Sequence, residues 1–171
     1  MKALTERITL LKDIRIFKDL SDKQIELVAG RLQEECMVQG TVIIKEFDRG
    51  DTMYLLWEGE VDISRTLTLR LSKYDYGQRD KVLTRLTAHN KLFFGETGLL
   101  DMGERTATVV AATRCRMLIF HKADFDDLVA QDPELGYKVV KHICEVVSER
   151  LRKANEDVLK LTTALSMALH R

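Results

Sequence analysis

The C-terminal part of the chain limits the possible folds most strongly, because neither proline nor glycine interrupts a helix after Gly136. Asp132 and Pro133 stand just before this stretch. Aspartate is a good helix cap, and proline is tolerated at the first helical position. The sequence therefore predicts one helix over residues 133–169, a little over about 50 Å long at a rise of 1.5 Å per residue.

Two apolar rows follow this predicted helix, and no charge falls on either over five heptads. One row recurs every seven residues and the other interleaves with it: Tyr137, Cys144, Leu151, Val158 and Leu165, and Val140, Val147, Ala154, Leu161 and Ala168. This pattern is typical of a coiled-coil seam. A second stripe of Val139, Ile143 and Val146 ends where the next helical position is Arg150. We expect the first half of the helix to pack on the rest of the chain and on a partner helix, and the second half to contact only the partner.

The preceding part of the chain predicts strands. Residues 37–120 consist of short β-branched runs separated by glycine turns. Val61–Leu71 alternates apolar and polar residues, and the polar stretch Ser72–Asp80 predicts a turn before a strand at Val82–Leu86. Because no helical pattern separates the strands, we expect an antiparallel barrel or jelly roll.

Upstream of these strands, residues 4–34 predict helices with a break between them. Ser21 and Gln24 have the spacing of a capping box. The box predicts a helix from Asp22 to about Leu32.

A candidate anion site lies in Phe93–Val109. Gly95 and Gly98 allow a tight turn and a close approach of the backbone to a ligand, because neither carries a Cβ. A helical turn opening at Glu96 would direct N–H groups at a phosphate, and Arg105 suits bidentate contact with that group. Because a carboxylate repels phosphate, Glu96 is expected to accept hydrogen bonds from a hydroxyl, such as that of a ribose.

The same run resembles the phosphate-binding cassette of cyclic-nucleotide-binding domains, as found in catabolite activator proteins, cyclic-nucleotide-dependent kinase subunits and nucleotide-gated channels. The resemblance implies that Glu96 holds the ribose 2′-hydroxyl and that Arg105 neutralises the cyclic phosphate. It departs from the family at Thr97, which is usually apolar, and at Phe47, where a turn glycine is common. Asn155 matches a helix position that reaches the base, from the same chain or from a partner. The implied ligand-binding residues are Phe94, Gly95, Glu96, Thr97, Gly98, Arg105, Thr106, Ala107 and Asn155.

The resemblance covers about residues 12–155 and implies an α+β fold. We expect an antiparallel β jelly-roll barrel (a double-stranded β-helix) with N-terminal helices and a long C-terminal dimerisation helix. The expected parts are residues 1–34, N-terminal helices; 35–121, the barrel with its cassette at 93–109; and 122–171, C-terminal helices including the dimerisation helix at 133–169.

Composition argues against several other functions. The 27 basic and 27 acidic residues balance, whereas a dedicated DNA-binding domain is usually basic. Cys36, Cys115 and Cys144 lack metal-ligand spacing and are expected to be reduced thiols. No apolar run approaches the roughly 18 residues of a membrane span, and no export segment is evident. We expect a cytoplasmic protein with no catalytic residues, no metal and no direct contact with nucleic acid or membrane.

These observations predict a regulatory domain that senses cAMP or cGMP and signals through its C-terminal helix to a twin or partner subunit. Thr106 leaves the choice between adenine and guanine open. One alternative is a degenerate pocket on a dimeric interaction scaffold. Another is a piece of a larger transcription factor, channel or transporter whose output domain is missing here.

Overall fold

The computed structural model describes residues 2–70, 76–90 and 93–169. Within these ranges five α-helices and two short 3₁₀ turns alternate with strands. The helices and turns are α1 (Lys2–Lys12), η1 (Arg15–Phe17), α2 (Asp22–Arg31), η2 (Ala88–Asn90), α3 (Thr97–Leu100), α4 (Lys122–Gln131) and α5 (Pro133–Leu169). The predicted C-terminal helix is therefore confirmed.

Eight strands form two antiparallel four-stranded sheets. The strands are β1 (Gln33–Met37), β2 (Val42–Ile44), β3 (Thr52–Glu58), β4 (Glu60–Arg70), β5 (Tyr76–Thr87), β6 (Phe93–Phe94), β7 (Thr108–Ala111) and β8 (Cys115–His121). One sheet has the order β1-β8-β3-β6 and the other β2-β7-β4-β5. The predicted antiparallel strands are confirmed, and the architecture is consistent with a β-barrel that carries helices.

Two apolar clusters hold these layers together. The larger joins the sheet of β3 and β8 to the helices, and includes Phe17, Ile25, Phe120, Leu135 and Ile143. The smaller fills the interior of the barrel with residues of both sheets, among them Leu56, Val61, Phe94, Val109 and Met117. The helices thus pack against the sheet of β3 and β8, and the second sheet meets that sheet across the smaller cluster.

The predicted capping box of α2 is confirmed. The Gln24 backbone N–H donates to Ser21 Oγ at 3.3 Å, and the Ser21 N–H donates to Gln24 Oε1 at 3.0 Å. Two backbone donors at the helix start are thereby satisfied, which accounts for the start at Asp22 as predicted. The helix ends at Arg31, one residue before the expected end.

The hairpin of β4 and β5 differs from the prediction. A turn expected through Asp80 is wrong, since β5 begins at Tyr76 and pairs with β4 from Arg70↔Tyr76 onwards. Residues 71–75 lie outside the described ranges. Tyr76–Asp80 shows no apolar alternation, yet backbone pairing with a neighbouring strand outweighs local preference, as strand propensity depends on context.

The first half of α5 docks as its second apolar stripe predicts. Val139 and Ile143 are fully buried against the larger cluster, and Val146 packs at its edge. Of the seam residues, Val140 is half-buried against the larger cluster, whereas the others, such as Tyr137 and Leu151, are exposed in the single chain.

Candidate functional site

A cavity of about 350 Å³ opens between the β4–β5 hairpin, the segments on either side of α3, and α5. Its polar side chains are those of Thr84, Glu96, Thr97, Arg105, Thr106 and Arg150. The cavity brings together most of the predicted site residues, although the cassette spans two strands and a helix. Its volume falls in the usual range for small-molecule sites.

Arg105 is the buried cation of this cavity, with only 5% of its surface exposed. Its Nη1 donates to the Gly95 carbonyl at 3.1 Å, and its Nη2 donates to the Thr52 carbonyl and hydroxyl at 2.8 and 2.9 Å. Within the described ranges no carboxylate forms an ion pair with it. Neutral acceptors orient the guanidinium but leave its charge uncompensated, which favours an anion at this position.

Three glycines make room for the Arg105 side chain. A Cβ at Gly98 would lie 2.6 Å from Arg105 Nη1, and a Cβ at Gly50 would collide with Nε and Nη2. Gly95 has φ +74°, a conformation that side chains with a Cβ rarely adopt. The sequence predicted that Gly95 and Gly98 admit a ligand, and the structure shows that their immediate neighbour is the guanidinium.

The backbone of Arg105 is fixed by a turn that contains Phe47. The Phe47 N–H donates to the Arg105 carbonyl at 2.9 Å, and the Arg105 N–H donates to the Asp48 carbonyl at 2.8 Å. Phe47 has φ 71°. Phe47 thus adopts the left-handed backbone conformation that favours glycine, at the position where the resemblance led us to expect a glycine.

Glu96 is buried and already has a cationic partner. It precedes α3, and its Oε1 accepts a hydrogen bond of 2.6 Å from Arg150 Nη1 on α5. Arg150 Nη2 also donates to the Phe93 carbonyl at 3.3 Å, and its guanidinium lies 5.5 Å from the centroid of the Phe93 ring. This pair connects the cassette directly to α5 at the rim of the cavity.

The remaining wall of the cavity is apolar. Phe94 stacks on Tyr54 with ring centroids 5.4 Å apart and planes 12° from parallel. The other apolar lining residues are Ile44, Ile63, Leu86, Ala107 and Val109. A flat aromatic ligand group could bury its faces here while an attached anion reaches Arg105.

A family model for the cyclic nucleotide-binding domain matches residues 34–132, more than half of the chain. The chain belongs to this family. The match begins in β1 and ends just after α4, and it contains every cavity residue except Arg150.

Similar proteins include longer relatives of this cyclic nucleotide-binding domain. A putative potassium channel protein of Rhodopseudomonas palustris is 30% identical over 131 residues, which is 77% of this chain and 29% of the channel protein. The cyclic AMP receptor protein of Thermus thermophilus is 28% identical over 145 residues, 85% of this chain and 61% of the receptor. The chain thus spans only part of each relative's length.

A solved cyclic nucleotide-binding domain from Methylobacillus flagellatus has the same fold. It superposes with a TM-score of 0.74 at 21% identity, covering 92% of this chain and 83% of that one. Among the helices that the structure describes, none is long and apolar enough to cross a bilayer. The described residues also contain no cluster of three or more His, Cys, Asp or Glu that could hold a metal ion.

The structure distributes the predicted site residues of this domain in two groups. Phe94, Glu96 and Arg105 line the cavity together with the neighbouring cassette positions Gly95, Thr97, Thr106 and Ala107. Gly98 lies behind Arg105, and Asn155 is exposed on α5, about 7.5 Å along the helix beyond Arg150 at 1.5 Å per residue.

Sequence reasoning missed Arg150 as a site residue. The signal was present, because Arg150 is the position at which a charge interrupts the apolar stripe of Val139, Ile143 and Val146. A charge in line with a buried stripe indicates a buried partner, and that partner is Glu96.

Proposed function

We propose that this domain binds cAMP or cGMP in the cavity beside Arg105 and acts as a regulatory element, signalling through α5 to a second copy or another protein. The observation that carries the proposal is the buried guanidinium of Arg105, which is held by neutral acceptors at the end of a cavity of about 350 Å³. The cyclic phosphate is the anion assigned to it.

Glu96 is assigned to the ribose. Its Oε1 accepts from Arg150, and an ionised carboxylate has further acceptor sites for a 2′-hydroxyl. Gly95, Thr97 and Gly98 are proposed to supply backbone around the phosphate, Thr106 a hydroxyl, and Phe94 and Ala107 part of the wall. The base then lies against the apolar side of the cavity, and Asn155 is a candidate contact from this chain or from a partner.

The proposed route of the signal is the pair of Glu96 and Arg150. A ligand that engages Glu96 acts on a carboxylate that holds α5 to the cassette, so that binding favours one position of the helix over another. Such a shift requires the nucleotide to bind the two positions with different affinities. No catalytic step is assigned to this chain.

The proposed partner is a second copy of the chain, paired along α5 next to a jelly-roll barrel formed by the two sheets. The exposed seam residues support this, since Leu151 and Leu161 show 60% and 71% of their surface. Cys144 lies on the same row as Leu151, so two in-register parallel helices would bring the two Cys144 thiols together. Mild oxidation should yield a disulfide-linked dimer that Cys144→Ser abolishes, while Cys36→Ser, at another exposed cysteine, retains it.

A dimeric scaffold with an unused cavity is the second candidate. The hydrogen bond between Glu96 and Arg150 favours this candidate, because one oxygen of the carboxylate already has a partner. It predicts dimerisation without any nucleotide response.

Calorimetry separates the two candidates. We expect cAMP or cGMP to bind, and 5′-AMP, which has the same base and ribose but an open phosphate, to bind more weakly by at least about tenfold. Absence of heat with both cyclic nucleotides, at concentrations up to millimolar, would leave the scaffold as the function. The ratio of the two affinities measures the choice of base.

A further inference from the structure

His142 lies at the contact between α5 and the N-terminal helices, away from the nucleotide cavity. Its side chain is only 7% exposed. One ring nitrogen, Nε2, is 2.8 Å from Asp19 Oδ2, and the other, Nδ1, is 3.0 Å from Glu145 Oε2. Both nitrogens thus face a carboxylate oxygen at hydrogen-bonding distance.

Both contacts can be hydrogen bonds at the same time only when the ring carries two protons. An ionised carboxylate only accepts hydrogen bonds, and a neutral imidazole carries a single N–H. A neutral His142 would therefore turn one ring nitrogen's lone pair towards a carboxylate oxygen. The hydrogen bond from His142 lowers the pKa of both Asp19 and Glu145, which keeps these groups ionised at neutral pH.

The surrounding charges come from each element packed here. Lys18 and Asp19 lie in the segment after η1, and Lys141 and Glu145 lie on α5. From η1, Arg15 Nη2 is 3.8 Å from Glu145 Oε2, and its main partner is Glu149, with two hydrogen bonds of 2.6 and 2.8 Å. His142 and Arg15 thus tie the same face of α5 to the N-terminal segment.

These contacts end next to the cavity. Among the described residues, Glu149 is the last one of α5 that forms an ion pair with the N-terminal segment, and it immediately precedes Arg150, which holds Glu96. The position of Arg150 is therefore set from two sides, by the cassette and by the contacts of His142 and Arg15.

We propose that His142 is a proton-dependent positioning residue, whose doubly protonated ring holds α5 to the segment after η1 and thereby keeps Arg150 at the nucleotide cavity. Loss of one proton removes one of the two hydrogen bonds and loosens this part of α5. The consequence for nucleotide affinity rests on the proposed function, whereas the consequence for α5 does not.

The sign of the pH dependence follows from the charges. A histidine ordinarily changes charge between about pH 5 and 8. The stabilisation by His142 is present on the acidic side of that change, and it is lost as the pH rises and the ring becomes neutral. At still lower pH it is lost again, when Asp19 and Glu145 take up protons.

The test compares the wild type with His142→Gln at about pH 6 and about pH 8.5. Thermal unfolding and hydrogen-exchange protection factors, which are corrected for intrinsic exchange rates, are measured without nucleotide. Raising the pH should lower the midpoint of the wild type by roughly 2–6 °C more than that of the variant. The same change should reduce protection of amides at 145–155 only in the wild type.

Two controls separate this effect from a general one. His121→Gln removes another histidine, at the end of β8, and should keep the full pH dependence. Arg15→Gln breaks the neighbouring bonds to Glu149 and should lower protection similarly at both pH values, because arginine stays charged throughout.

The nucleotide affinity provides the final readout. A cyclic nucleotide should bind the wild type a few-fold more tightly at about pH 6 than at about pH 8.5, and His142→Gln should remove the difference. Equal pH dependence of protection in the wild type and His142→Gln would overturn the proposal, as would an affinity difference that survives the substitution. Absence of nucleotide binding at either pH would overturn the proposed function instead, and the protection factors would still decide the role of His142.

Discussion

The two halves of α5 are continuous in backbone but opposite in their surroundings. Up to Arg150 the helix buries Leu135, Val139 and Ile143 and is held by ion pairs to the N-terminal segment and the cassette. From Leu151 to Leu169 every residue is exposed, including a row of leucines and valines. One half is part of the domain, and the other projects from it.

The two halves therefore differ in what stabilises the helix. A projecting half without tertiary contacts is marginal in water, because isolated helices of its length gain little beyond their hydrogen bonds. An uncharged heptad row in that half is consistent with a partner that supplies the missing contacts. Arg150 lies at the border between the halves, where an event at the cavity can affect both.

Matched aspartate substitutions in the two halves should have the largest effects and the greatest contrast. Ile143→Asp buries a charge with no partner and should destabilise the domain by more than about 4 kcal/mol in thermal or denaturant unfolding. Leu161→Asp should change the stability of the monomer fold by less than about 0.5 kcal/mol. It should instead convert a dimer to a monomer in sedimentation. If Leu161→Asp destabilised the fold as much as Ile143→Asp, the claim that only the first half of α5 is part of the domain would be contradicted.

Loss of the buried cation is the next largest effect. Arg105→Ala should weaken cyclic-nucleotide binding by about 2–5 kcal/mol in calorimetry, because it removes the charged donor to a buried phosphate. The docked half of α5 should keep its contacts. Arg105→Lys should not restore full affinity, since lysine lacks the planar fork. If Arg105→Ala bound the nucleotide with wild-type affinity, the phosphate could not be assigned to this end of the cavity.

A smaller effect should separate ribose from deoxyribose. The wild type should bind a 2′-deoxy cyclic nucleotide more weakly by roughly 1.5–3 kcal/mol, the scale of a hydrogen bond to a charged group. Glu96→Gln should discriminate less between the two ligands. If the wild type bound both ligands equally, Glu96 would not contact the ribose 2′-hydroxyl, and its role would be limited to holding Arg150.

The smallest effect is expected in acid and only in the docked half. The hydrogen bonds from Arg15 lower the pKa of Glu149 in the folded chain, and the contact with His142 lowers that of Glu145. The ionised carboxylates stabilise the folded chain at pH values above their pKa in the unfolded chain. This stabilisation is lost as the pH falls through their lower pKa values in the folded chain. Both carboxylates are nearly half exposed, so the effect is modest. When the pH falls from about 6 to below about 4, hydrogen-exchange protection of the amides before Arg150 should decrease more in the wild type than in Glu149→Gln. Beyond Leu151 the two proteins should show the same change.

Features carried by local chemistry could be predicted from the sequence. The capping box gave the start of α2, the absence of proline and glycine gave α5, and the resemblance of the run Phe93–Val109 to a known family identified the cassette. Each depends on residues close together in the chain, where rules for backbone conformation apply directly.

Features that depend on distant neighbours were not predicted. The start of β5 at Tyr76 depends on pairing with Arg70 across the hairpin. The hydrogen bond between Glu96 and Arg150 joins residues 54 positions apart. Gly50 leaves room for the side chain of Arg105, which lies far along the chain from it. Such contacts follow from how the elements pack, which periodicity within one element does not specify.

Hydrogen exchange along α5, measured with and without a saturating cyclic nucleotide, shows directly whether the cavity and the helix are coupled. If the ligand acts through Glu96 and Arg150 on the helix, protection should change both around Arg150 and beyond Leu151. In Arg150→Gln the nucleotide should still bind through Arg105, but the change beyond Leu151 should be reduced or absent. A nucleotide that binds the wild type and leaves protection beyond Leu151 unaltered would contradict the proposal that the cavity signals through this helix.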